Sequence, residues 1–369
     1  MRAQRAVGAQ AATNRQVPRP DAFIFQQPVP VDVLPDRLIF TTPQTDIRPN
    51  QVLMGRSLTD QDFLRRATRL HAEGNRLIVE TVPATLFEAF SDLDMAGVRS
   101  VRGPGGVTLQ SHHFNLGGVV DIILDMNVKP DFSDAHLRLK DKRLFVRVAP
   151  RFEIDSQIRT EYTFFSAQAQ LSPEPVLKPT GSISFANARY LAWVGPVPLV
   201  FHLKPGAALS YGHKAEGKVI ATTEISGEFK AGVEMEAALG ESPVTKTESD
   251  YQFEGRMLPP ELRLTGVARA RLHLPTLHLD TEIAGLVGPF IEASPYVDGR
   301  FQRTLSVTPQ QTTVFTSVIS NLGLAIDGGL TPTSLFGKEL THEIRRKILD
   351  KRIKELYRKE STDVLPNGR

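Results

Sequence analysis

The residues of this chain that could carry chemistry are its nine histidines and a few evenly spaced carboxylates. His112 and His113 form the one adjacent histidine pair. Neighbouring residues on a strand face opposite ways, so these two cannot readily share one metal ion. His273 and His278 stand either side of Pro275, with Asp280 two positions further on. A metal there needs a third ligand brought in by the fold, and solvated histidines on a polar strand face are the plainer reading. Asp121 with Asp125, and Glu234 with Glu236, have even spacing and so share a strand face. Paired carboxylates divide acid and base work only in a cleft that perturbs their pKa values. On an outward face they simply keep a sheet soluble.

Other catalytic signatures are missing. Gly103-Pro104-Gly105-Gly106 lacks the Lys-Ser/Thr of a phosphate-binding loop, and no G-x-G-x-x-G opens a helix. No G-x-S-x-G elbow is present. The chain has no cysteine, which removes disulfides, thiolate metal sites and a thiol nucleophile. Trp193, the single tryptophan, lies ahead of an apolar run and is expected in the core, with stacking on a sugar or base as the alternative. No catalytic, cofactor-binding or metal-ligating residue is therefore assigned, no cofactor is expected, and the expectation is a protein that is not an enzyme. A hydrolase using surface carboxylates or histidines is the least favoured class.

The elements that would hold these residues announce themselves by a period of two. Val120, Ile122, Leu124, Met126 and Val128 alternate with polar residues, and Leu144, Val146, Val148, Phe152 and Ile154 repeat the pattern. Further alternating runs begin at Val197, Phe229 and Ala268. Such runs are strands with one buried and one wet face, which means antiparallel pairing. The fold class expected is mainly β: a large antiparallel sheet or sandwich with long strands. Phe63 to Val82 reads as a hairpin turning at Ala72-Glu73-Gly74-Asn75. Ala84 to Leu93 reads as a short helix with a Thr85/Glu88 capping box. Lys338 to Lys359 reads as an amphipathic helix, with Leu340, Ile344, Ile348, Ile353 and Leu356 near one face. Polar Glu241 to Asp250 is expected to be an exposed loop.

These elements suggest a proline-rich arm over 1–50, a hairpin-plus-helix module over 51–102, a β domain over 107–336 and a charged helical end over 337–369. Hydrophobic content of 41% and a net charge of +3 describe an ordinary globular chain, with no argument for a nucleic-acid partner. No stretch approaches the ~20 apolar residues of a membrane-spanning helix, and Met1 to Pro20 lacks the apolar core of a secretory signal.

Three landmarks carry a resemblance. They are Phe63-Leu64-Arg65-Arg66-Ala67-Thr68 with Gly74 to Leu86 and Glu88-Ala89-Phe90, then Val194 to Val200, then Leu286-Val287-Gly288-Pro289-Phe290 with Pro295-Tyr296. Together they resemble a large group of bacterial secreted or cell-surface β-rich proteins without an established activity. The resemblance implies a location in the cell envelope or outside the cell and an adhesive or scaffold-like role. It supplies no catalytic residue. The chain departs from that group in lacking a lipoprotein cysteine or signal segment and in its charged end. The expected function is a non-enzymatic structural or interaction protein, self-associating or bound to another surface protein. The alternative is a carrier of a lipid or other apolar ligand in a sheet groove.

Overall fold

Alternation becomes strand along nearly all of the chain. The computed structural model describes residues 14–42, 46–98, 101–165, 175–284, 286–307, 311–331 and 342–366. β1 (Arg15–Pro18) joins the larger of two sheets. β2 (Ala22–Ile24), β3 (Val31–Val33), β4 (Arg37–Phe40), β5 (Val52–Arg56), β6 (Asp62–Glu73) and β7 (Arg76–Pro83) make the smaller, in the order β2-β5-β6-β7-β4-β3. The β6–β7 hairpin turns at Gly74, whose φ of 59° suits a residue without Cβ. The proline-rich start thus supplies strands to both sheets.

After α1 (Leu86–Ala89) come β8 (Phe90–Ala96), β9 (Val101–Arg102), β10 (Val107–Leu116), β11 (Val120–Asp131), β12 (Ala135–Lys140) and β13 (Arg143–Val148). β14 (Arg151–Phe164), β15 (Lys178–Ser184) and β16 (Ala188–Val194) precede β17 (Val197–Ala238), a strand of 42 residues. β18 (Val244–Met257), β19 (Glu261–Ile283), β20 (Leu286–Val307), β21 (Gln311–Leu330) and β22 (Ile344–Pro366) complete the 16-stranded sheet. β17 is its spine. One edge pairs in succession with β16, β15, β14 and β13, the other with β19 and then β18. Pairing then continues outward through β20 and β21 to β22.

The buried faces of the larger sheet meet in one large core, and the smaller sheet has its own cluster around Leu38, Phe40 and Phe63. Phe132 stacks on Phe201 of β17 at 4.2 Å, and Phe152 stacks on Phe229 at 5.1 Å. The sheet also folds back on itself, since Gly255 of β18 lies against Leu322 of β21 and Leu356 of β22. Gly328 of β21 likewise faces Val233 of β17.

Four expectations need correction. The helix over Ala84–Leu93 shrinks to the single turn α1, in which the Glu88 carboxylate accepts the Thr85 N–H at 2.7 Å. Phe90 is already extended, and Phe90, Leu93 and Met95 are buried as parts of strand β8. The apolar run from Leu144 to Ile154 is two strands, because Pro150 cannot donate to a ladder. Glu241–Asp250 is a loop only up to Pro243, where β18 begins beside β17.

The amphipathic C-terminal helix is instead strand β22; residues 338–341 of that expectation lie outside the described residues. The reason is in the register. The β21–β22 ladder skips Ile348, Ile353 and Leu356 in turn, each an extra residue at a bulge. Three bulges reset the period of two, so inward apolar residues recur four, five and three positions apart. That spacing imitates a helix.

Candidate functional site

Sheet residues converge on the outer face of β19–β22. Along β20, Glu292, Ser294, Tyr296, Asp298 and Arg300 point to one side, as alternation requires. The β19 partners of Arg300, Asp298 and Tyr296 are Arg269, Arg271 and His273. The β21 partners are Ile319, Asn321 and Gly323. Gly323 is small for a reason: a Cβ there would lie 2.2 Å from the Tyr296 ring, which covers it. Tyr296 and Asp298 are consequently buried on the polar face.

Asp298, only 3% exposed, is the hub of this cluster. Its carboxylate accepts from Arg271 at 3.1 Å and from Arg352 of β22 at 3.0 Å, with Arg269 at 3.7 Å. The Arg271 guanidinium also lies 4.5 Å over the Tyr296 ring. The Tyr296 hydroxyl donates to Asp350 at 3.2 Å. His273 packs on the same ring, 5.2 Å between centroids. Burial, reinforced by the Arg271 cation, pushes the His273 imidazole down to about 4. At neutral pH it is uncharged.

A second cluster continues the face. His278 donates to Asp280 at 2.9 Å and Lys204 of β17 does so at 2.8 Å. The His278 hydrogen bond, with help from Lys204 and against partial burial, holds the Asp280 carboxyl down at about 2. Glu292 lies 4.0 Å from the other nitrogen of His278 and pairs with Arg345 at 3.0 Å. His273 and His278 are an odd number of residues apart, so a regular strand would face them oppositely. A register shift between His273 and Leu277 brings both to one face.

This arrangement is electrostatic. Asp280 and Asp298 are already committed to cations, and His273 meets the face of Tyr296 where an acid or base would need its hydroxyl. Among the described residues, no three His, Asp or Glu side chains gather to hold a metal ion. The cluster can position and attract charge. It has no nucleophile poised beside a base.

No family model, curated protein or solved structure matches this chain. Its site is read from its own residues. His112 and His113 are both exposed on β10, where a bulge disturbs the alternation. Asp121 and Asp125 lie on the outer face of β11, accepting from the Asn115 side chain at 2.9 Å and from the Ser111 N–H at 2.7 Å. Glu234 lies 3.3 Å from Arg147, and Glu236 lies 3.5 Å from Arg143. Trp193 is half-buried, with the Arg56 guanidinium 5.0 Å from its ring centroid. Arg56 is itself 2% exposed and donates to both oxygens of Asp62, at 2.7 and 2.8 Å, joining the smaller sheet to β16.

Sequence reading gave no site role to Tyr296, Asp298, Arg300 or Arg352. The signal was available in alternate polar positions from Glu292 to Arg300, facing Arg269, Arg271 and His273 if the two runs pair.

His273 carries a pH prediction. Its folded pKa lies below the ordinary 6.5, so between pH 6.5 and 4 the unfolded chain binds more protons and stability falls as pH falls. From pH 7 to pH 5 the loss is expected to be about 2 kcal/mol, at 1.36 kcal/mol per pKa unit. Urea titrations at both pH values check it. His273→Gln should remove most of this slope, and an unchanged slope would refute the assignment.

Proposed function

We propose that this protein is a non-enzymatic structural or interaction protein of the bacterial cell surface or of an extracellular assembly. The observation that carries the reading is the disposition of the polar groups. The carboxylates and histidines capable of chemistry are spread over outward sheet faces, mostly bonded to neighbouring strands. The apolar faces, by contrast, are spent on packing one long-stranded sheet. Placement outside the cytoplasm rests on the three landmark segments alone.

The alternative of an apolar-ligand carrier has less support. The run from Leu144 to Ile154, which such a carrier would need as groove lining, instead packs Phe152 against Phe229 and buries Leu144, Val146 and Ile154 in the common core. A cavity of about 670 Å³ does lie where β5, β6 and α1 approach the larger sheet. Its lining includes Arg19, Asp21, Arg66 and Glu88, a poor match for a lipid tail.

Two edges of the larger sheet contrast. Among the described residues, β22 pairs only with β21, and it is rich in Lys and Arg, a common defence against edge-to-edge pairing. Among the described residues, β10 pairs only with β11, and it contains no Asp, Glu, Lys or Arg from Val107 to Leu116. Copies of the chain are expected to associate through β10. Light scattering should report an assembly that persists at high salt, because backbone pairing is poorly screened. Gln110→Lys should weaken it. A strictly monomeric protein at high concentration would overturn the self-association reading.

A further inference from the structure

We propose that the cavity where β5, β6 and α1 approach the larger sheet binds a small zwitterion with an apolar side chain, a free amino acid or a short peptide. The inference goes beyond the scaffold reading and does not depend on it. The cavity, of about 670 Å³, has the size of a small-ligand cleft, roughly 300–1,000 Å³. Its floor is apolar. Val52, Phe87 and Leu139 line it, and each is no more than 3% exposed.

The charges around that floor balance. The lining carries three cations, Arg19, Arg66 and Lys142, and three acids, Asp21, Glu88 and Asp141, so three minus three leaves no net charge. Arg66 and Glu88 bond to each other. The Arg19 Nε donates to the Phe87 carbonyl at 2.8 Å, and among the described residues its guanidinium meets no carboxylate. Asp21, Asp141 and Lys142 make no side-chain hydrogen bond or ion pair among the described residues. Two acids and two cations therefore stand ready for a ligand. A simple anion or cation would satisfy one sign and leave the other, whereas a zwitterion offers a charge-assisted hydrogen bond to both. Its apolar side chain would cover Val52, Phe87 and Leu139.

The backbone also marks this place. Six non-glycine residues among those described have positive φ, and three of them, Asn50, Asp141 and Lys142, line this cavity. Asp141 and Lys142, at 50° and 59°, form the two-residue turn between β12 and β13, where Asn-Gly is the relaxed choice. The Leu239 N–H donates to the Lys142 carbonyl at 2.9 Å and ties the turn to the end of β17. Lysine gains nothing from this conformation. Rare backbone geometry that a fold maintains is a pointer to function, and here it sets an acid and a base side by side at the rim.

The test titrates the full chain with L-leucine and with the dipeptide Gly-Leu by calorimetry. N-acetyl-Gly-Leu and Gly-Leu amide, each lacking one charge, are the controls. Saturable binding of a zwitterion is expected, weakened at least about tenfold when either charge is blocked, the equivalent of one lost charge-assisted contact. Binding of Gly-Leu alone identifies a peptide site, and binding of leucine identifies an amino-acid site. Asp141→Asn and Lys142→Gly each remove one rim charge, and both new residues accept a positive φ. Without ligand the first should keep the parent's Tm and the second should match or exceed it. Both should bind the zwitterion at least about tenfold more weakly. Absence of saturable binding by either compound, equal binding of the blocked forms, or undiminished binding in both variants would overturn the proposal.

Discussion

Replacing Asp298 by asparagine is expected to cost about 3 kcal/mol of folding stability, among the largest effects of any single polar substitution in this chain. The change keeps shape and removes charge. It leaves Arg269, Arg271 and Arg352 facing one another without the carboxylate that all three approach within 3.7 Å. Breaking one side of a buried ion pair costs about 3–5 kcal/mol, and the lower end applies because Arg352 is 56% exposed and keeps part of its hydration. Urea denaturation should show a lower midpoint with an unchanged slope. The double variant Asp298→Asn with Arg271→Gln should lose less than the sum of the two single changes, since they share one interaction. Additive losses, or a single change below about 0.5 kcal/mol, would show that Asp298 is not the hub.

Phe201→Ala is expected to destabilise by about 3–5 kcal/mol, the range for removing a buried aromatic ring. Phe201 is fully buried in β17 and lies nearly parallel to Phe132, at 4.2 Å and 9°. Phe132 in turn meets Tyr190 of β16 at 4.9 Å. The ring therefore ties the segment after β11 to the spine, and truncation leaves a void between elements distant in sequence. Phe201→Leu retains most of the volume and should cost roughly half as much. Denaturant midpoints of the two variants provide the check. Equal losses would mean that backbone disruption, not lost packing, dominates at this position.

The contrast between these residues explains what could be read from sequence. Strands were legible wherever one face is core and the other solvent, as from Val120 to Val128, because burial then imposes alternation directly. The Asp298 cluster was not legible, because its burial comes from Arg271, Gly323 and Arg352 on three other strands. Pairing partners separated by 27 to 54 residues leave no local period. β22 misled for the opposite reason. Its local pattern was real, but Ile348, Ile353 and Leu356 sit at bulges, and bulges belong to a ladder that only the partner strand defines. At His273 and His278 a similar slip brings to one face two residues that plain alternation would separate. The antiparallel architecture came through, and the convergent polar face did not.

The length of β17 has a consequence for synthesis. A ribosome delivers β13, β14, β15 and β16 first, and one edge of each takes its hydrogen bonds from a segment still to be translated. β16 finds its partner first, once Leu203 has been made, and β13 last, at Ala238; until then the waiting ribbons keep open rims, a vulnerable interval in which misassembly competes with completion. One polypeptide stretch thus acts as a keystone, and the structure closes around it step by step.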